Sequence, residues 1–142
     1  MVTVDDIISK NIDRLTVSKR SKKDATDIMR NWDGYQFEKF WAELKRRDGY
    51  AARATRESGD RGVDVVAALR VDSDTRRITL AQTKCYSGRV SAHDLEKYDY
   101  LTNYAHEVEF VTTADYSDAT EERAYELGFT LIGPDEIYER LC

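Results

Sequence analysis

The sequence predicts an α/β domain: a mixed central sheet of about five strands flanked by helices on both faces. Three observations predict it. Residues 63–71 and 78–85 read as strands on either side of the turn-like Asp72-Ser73-Asp74-Thr75, which makes an antiparallel hairpin. After that hairpin, strands alternate with helices, the pattern of a sheet covered on both sides. Before it, Phe37, Phe40, Trp41 and Leu44 recur at the i, i+3, i+4, i+7 spacing of one helix face.

The elements follow in order. Ile8, Ile12 and Leu15 suggest a short N-terminal helix, then the basic run Ser18-Lys19-Arg20-Ser21-Lys22-Lys23 and a second helical turn. Residues 1–33 are read as an extension too short for a core of its own, and 34–142 as the domain. The Phe37–Leu44 helix ends near Asp48-Gly49, where Gly49 can take the left-handed cap. A short strand over 50–55 and the loop Ser58-Gly59-Asp60-Arg61-Gly62 lead into the hairpin. Ser91-Ala92-His93-Asp94 resembles a capping box opening a helix with Leu95, Tyr98 and Leu101 on one face. A strand over 108–112, a helix capped by Ser117 and ending at Gly128, and a strand over 130–132 follow. Pro134 starts the last helix at the position where its missing N–H costs nothing.

Composition narrows the function classes. No apolar run approaches the roughly 18 residues a membrane span needs, and no secretion signal is evident. Cys85 and Cys142 lack CxxC spacing and, with two histidines, are too few and scattered for a zinc site. The expectation is reduced thiols in a cytoplasmic protein. The net charge of −5 argues against a nucleic-acid partner until its distribution is considered. Residues 1–90 carry 19 Lys and Arg against 14 Asp and Glu, a net +5, whereas residues 91–142 carry 3 against 13, a net −10. Affinity for phosphates follows the local patch rather than the total.

One constellation carries chemistry. On the second hairpin strand Gln82 and Lys84 are expected on the same face as Ile78 and Leu80, since strand side chains alternate. A lysine ending such a row marks the mouth of a polar cleft, because lysine is almost never fully buried unpaired. Asp64 begins the neighbouring strand, and register decides whether it joins them. With Val71 opposite Arg76, Asp64 would face Thr83 and point away. With Val71 opposite Thr75 or Arg77, Asp64 comes opposite Gln82 or Lys84. The expectation is therefore an odd-length loop, or a bulge that shifts register by one. Asp64, the Gln82 amide oxygen and the Thr83 backbone carbonyl form an oxygen set suited to Mg²⁺, with Mn²⁺ as a substitute. Lys84 can orient a water, act as base, or offset charge at phosphorus. Glu38, one residue from the Phe37–Trp41 face, can supply a second carboxylate. A structural Asp64–Lys84 ion pair is the plainer reading, but it explains neither the glycine loop nor Gln82.

Gly34-Tyr35-Gln36-Phe37-Glu38, Gly49-Tyr50, Ser58-Gly59-Asp60-Arg61-Gly62-Val63-Asp64 and Gln82-Thr83-Lys84 resemble the Mrr-type restriction endonuclease catalytic domain, of the PD-(D/E)XK nuclease superfamily. Val111-Thr112-Thr113, Ala119, Ala124, Gly128 and Leu131-Ile132-Gly133 continue the likeness over roughly residues 34–141. Gln in the QxK motif, where the superfamily usually has Glu, is itself an Mrr-like trait. The resemblance implies a Mg²⁺-dependent DNA endonuclease with Asp64 as the metal-binding aspartate, Gln82 as the second metal position, Lys84 as the catalytic lysine and Glu38 as the helix acid. Asp60, four residues before Asp64, is read as shaping the loop. DNA contacts are expected from Lys19, Arg20, Lys22, Lys23, Arg61 and Tyr86, and recognition from Arg14–Lys23, from Lys45-Arg46-Arg47, or from a separate partner chain. A structure-specific nuclease, such as a Holliday-junction resolvase working as a homodimer, and a non-enzymatic DNA-binding module of the same fold are the competing readings.

Overall fold

The computed structural model describes residues 22–55, 63–84 and 90–141, with Lys22, Asp24, Lys84 and Leu141 described by backbone alone. The expected helix around Ile8–Leu15, the loop 58–62 and both cysteines lie outside these residues. The order is α1 (Lys22–Arg30), α2 (Gly34–Arg47), β1 (Ala51–Ala54), β2 (Val65–Arg70), β3 (Arg76–Lys84), α3 (Ala92–Glu96), a 3-10 segment (Asp99–Asn103), β4 (Glu107–Thr112), α4 (Asp118–Leu127), β5 (Phe129–Ile132) and α5 (Pro134–Leu141).

Strands lie in the order β1-β2-β3-β4-β5. β1, β2 and β3 are antiparallel, and β3, β4 and β5 are parallel. This is the mixed five-stranded sheet that the pattern implied. Helices cover both faces. On one side Ala25, Met29, Phe37, Phe40, Trp41 and Ile137 pack against Val65, Ala81, Val111 and Ile132. On the other Leu95, Leu101 and Ala124 pack against Leu80, Val108, Phe110 and Phe129. Ala25 and Met29, which precede the expected domain start at 34, are fully buried in the first of these layers.

Capping chemistry explains the helix starts. Asp33 and Gln36 form a reciprocal capping box on α2, Ser91 and Asp94 do the same on α3, and Ser117 caps α4. Gly49 at φ +98° and Gly128 at φ +80° take the left-handed conformation that lets the chain leave α2 and α4.

The helix expected through Leu95, Tyr98 and Leu101 is corrected to two short pieces. Tyr98 leaves the helical region at φ −110°, ψ 12°, and the Thr102 hydroxyl donates to the Asp99 carbonyl at 2.8 Å, a local bond that competes with helix continuation. All three apolar side chains still reach the same cluster.

Candidate active site

The hairpin sets the position of Asp64. The Val71 N–H donates to the Thr75 carbonyl at 2.9 Å and Arg70 pairs with Arg76, leaving a three-residue tip at 72–74. This is the odd loop with Val71 opposite Thr75. The register carries down to Val65 opposite Ala81, and Asp64 lies just beyond this last pair, where one more regular step would set it opposite Gln82.

Asp64 then departs from strand geometry. Its N–H donates to the Ala81 carbonyl at 2.8 Å, while its own carbonyl accepts from the Thr55 N–H at 2.8 Å. In a regular antiparallel strand both backbone groups of one residue face the same neighbour. Sending them to opposite neighbours makes Asp64 the extra residue of a β-bulge, a device that re-aims a side chain. Thr55 secures the turn further, its hydroxyl donating to the Val63 carbonyl at 2.6 Å.

The bulge turns Asp64 toward α2. Its Oδ2 accepts from the Thr83 N–H at 2.8 Å and from the Thr83 hydroxyl at 3.3 Å, and it shares a hydrogen bond with Glu38 on α2. Gln82 keeps the pleat position of Leu80, on the sheet's other face, and is buried. The expected single-faced row of Asp64 and Gln82 is thereby corrected: the bulge brings Asp64 to the edge of β3 and the α2 side, beside Gln82 rather than in line with it. The Thr83 carbonyl, expected as a third oxygen, faces the same edge as its N–H and therefore the side Asp64 occupies. Lys84 is the last residue of β3, paired with Thr112; its side chain lies outside the described residues.

The proximity of the two carboxyls has an electrostatic consequence. Burial, then the negative charge of Asp64, a hydrogen bond with Asp64 and the charge of Asp33 push Glu38 up to about 7. Two carboxylates in one partly buried site resist being ionised together. Among the described residues no three His, Cys, Asp or Glu side chains gather. A cation held at this site therefore relies on amide and carbonyl oxygens beside the two carboxyls. Such an all-oxygen set fits Mg²⁺ or Mn²⁺ and does not fit zinc.

The expected DNA contacts fare unevenly. Lys19, Arg20, Arg61 and Tyr86 lie outside the described residues, and Lys22 is described by backbone alone. Lys23 is exposed and pairs with Asp27 at 3.2 Å. The recognition role expected of Lys45-Arg46-Arg47 is corrected for Lys45. It is buried, with Nζ 2.9 Å from Glu109 Oε2, while Arg46 and Arg47 pair with Glu43. Sequence reasoning missed this network, in which the Trp41 indole also donates to Glu109 Oε1 at 3.1 Å. The available signal was an acid in the apolar run Val108-Glu109-Phe110-Val111.

A model of the Mrr catalytic domain, described as restriction endonuclease, matches residues 29–141. Among solved structures the fold is similar to the DNA modification-dependent restriction endonuclease AspBHI, with TM-score 0.71, 17% identity and 84% of this chain against 34% of that one. It is also similar to the MspJI restriction endonuclease in complex with a 27-mer oligonucleotide, with TM-score 0.66, 18% identity, 89% and 31%. The restriction endonuclease FokI follows with TM-score 0.56, 14% identity, 93% and 29%. This chain thus spans about a third of the length of those it resembles. No curated protein sequence matches it.

Proposed function

Because the chain belongs to the Mrr catalytic-domain family of restriction endonucleases, we propose that it is a metal-dependent endonuclease hydrolysing DNA phosphodiester bonds at the open end of β3. The observation that carries this reading is the contact of Glu38 on α2 with Asp64, whose carboxylate is held by the Thr83 amide. In this proposal Asp64 and the Thr83 carbonyl hold Mg²⁺, or Mn²⁺ in its place, with Glu38 adding charge and Gln82, from the other face, closing the set around the end of β3. When bound, the ion supplies charge relief at phosphorus and a water of lowered pKa.

The chain's own groups do the rest. Burial of Gln82 and Thr83 keeps their oxygens fixed and limits competing solvent. Thr83 holds the Asp64 carboxylate through two hydrogen bonds, so one oxygen is oriented before any ligand arrives. Lys84 is assigned the orientation of the attacking water and the offsetting of charge on the reacting phosphate. Cutting both strands of a duplex calls for two copies of the site, which a symmetric homodimer provides. Choice of sequence or modification is assigned to a separate recognition partner.

The test incubates purified protein, with Mg²⁺ or Mn²⁺, with methylated and unmethylated duplex, four-way junction, flap and single strand. Wild type is expected to cut duplex DNA and Lys84→Ala to cut nothing. Cleavage confined to the junction would replace this reading with the structure-specific one. Equal cutting by both proteins, or none by either, would overturn it.

A further inference from the structure

The strands β1 (AARA), β2 (VVAALR) and β3 (RRITLAQTK) contain no Asp or Glu at all, in a chain with 27 acids. Their face away from α2 can be read from the ladder. Ala51 pairs with Ala68, Arg53 with Val66, Val66 with Leu80 and Arg70 with Arg76. Directly paired residues share a face, so Arg53, Arg70 and Arg76 stand on the side of Leu80 and Gln82. The helices α3 and α4 cover the β3–β5 half of that side, while Ala51, Arg53, Arg70 and Arg76 are exposed.

These three arginines differ from the others described. Arg30 is held by the Thr113 carbonyl, and Arg46, Arg47, Arg77, Arg123 and Arg140 each meet a carboxylate. Among the described residues no ion pair or side-chain hydrogen bond engages Arg53, Arg70 or Arg76. Arg70 and Arg76 are also directly opposed, and like charges so placed are destabilising. They border a cavity of about 250 Å³ whose other walls are Gly49, Ala51 and Ala68, so small residues leave room beside the guanidinium groups. Two acids, Asp72 and Asp74, stand at the hairpin tip between Arg70 and Arg76, and Asp72 has Oδ1 occupied by the N–H groups of Asp74 and Thr75.

We propose that this arginine-bearing sheet face, on the side of the sheet away from α2, is a track for the DNA phosphate backbone. The proposal rests on the nuclease reading. Guanidinium forks match phosphate oxygens in pairs, and a local positive patch attracts a polyanion whatever the net charge.

The test measures duplex binding by fluorescence anisotropy across a salt series without divalent metal, so that cleavage plays no part. For Arg53→Gln/Arg70→Gln/Arg76→Gln, the slope of log affinity against log salt should become shallower by about 2 to 3, at about 0.9 per phosphate contact. A control losing equal charge elsewhere, Lys97→Gln/Arg123→Gln/Arg140→Gln, should keep the wild-type slope. Equal loss in both variants, or none in the first, overturns the track. Arg76→Gln alone removes an opposed charge and should melt at or above the wild-type temperature while binding more weakly. A lower melting temperature would make these arginines structural and overturn the proposal. An unchanged slope with cutting intact removes the track alone, whereas a wild type that neither binds nor cuts removes the nuclease reading as well.

Discussion

Asp64 does two things that a side-chain deletion confuses. Its charge belongs to the proposed cation site, and its Oδ2 accepts the Thr83 N–H at 2.8 Å at the end of the hairpin. Removing the acceptor leaves a partly buried donor unsatisfied, at a cost of about 1–3 kcal/mol. Asp64→Asn keeps an oxygen for Thr83 and removes only the charge. Both Asp64→Ala and Asp64→Asn should abolish cleavage, but Asp64→Ala should unfold at lower urea by about 1 kcal/mol more. Activity retained by Asp64→Asn would detach the carboxylate from catalysis, and equal stabilities would detach it from the fold. Glu38→Gln separates the roles on the other side of the pair. It relieves the repulsion that pushes Glu38 up to about 7, so it should melt higher than wild type without metal, yet cut more slowly.

α2 carries Glu38, and beside its apolar packing one buried acid ties it to the sheet. Glu109 on β4 accepts from Lys45 and Trp41, three and two turns along α2 from its start, and the Lys45 ammonium sits 4.5 Å from the Tyr50 ring centroid. Removing one partner of a buried pair costs about 3–5 kcal/mol, because a charge is left uncompensated. Lys45→Met should therefore be strongly destabilised in denaturant melts, and adding Glu109→Gln should recover part of the loss. Burial already raises Glu109 against the opposing pull of Lys45. A carboxyl whose folded value is raised favours the folded state when protonated, so stability is lost as pH climbs from its ordinary 4.5 through the raised value. Without Lys45 that loss should deepen, so Lys45→Met should gain stability on acidification more than wild type does; parallel pH profiles would contradict the pairing. Sequence legibility follows the same division. Ser91, Ser117 and Gly128 announce helix ends because capping is local, and the Asp72–Thr75 turn allows the register because the turn's length is local too. The turn of Asp64 out of the ladder was not legible, since it depends on Thr55 and Ala81 from two neighbouring segments. An acid in an apolar strand marks Glu109 as buried, but its partners were illegible because they stand 64 and 68 residues away.

At the scale of the molecule, folding itself creates the electrostatic problem that a cation would solve. Glu38 and Asp64 are 26 positions apart in sequence, and the unfolded chain keeps them separate; the native sheet and α2 bring them into contact. A divalent ion drawn to both, to Gln82 and to the Thr83 carbonyl binds the native state alone. It then stabilises that state by RT ln(1 + [L]/Kd), about 1.4 kcal/mol at ten times Kd. For a domain of this size that corresponds to a rise of roughly 5 °C in melting temperature. Saturating Mg²⁺ should produce such a rise in wild type, and excess chelator should reverse it. Asp64→Asn should show none, because the remaining carboxyl of Glu38 has lost the partner that made the site doubly charged. The measurement needs no DNA and no turnover, so it tests the cation site apart from the nuclease activity. A wild-type melting curve that does not move with Mg²⁺ or Mn²⁺ would remove the metal from the proposed chemistry. The same shift in Asp64→Asn would place the ion elsewhere on this acidic chain, with its 13 carboxylates after residue 90 the first place to look.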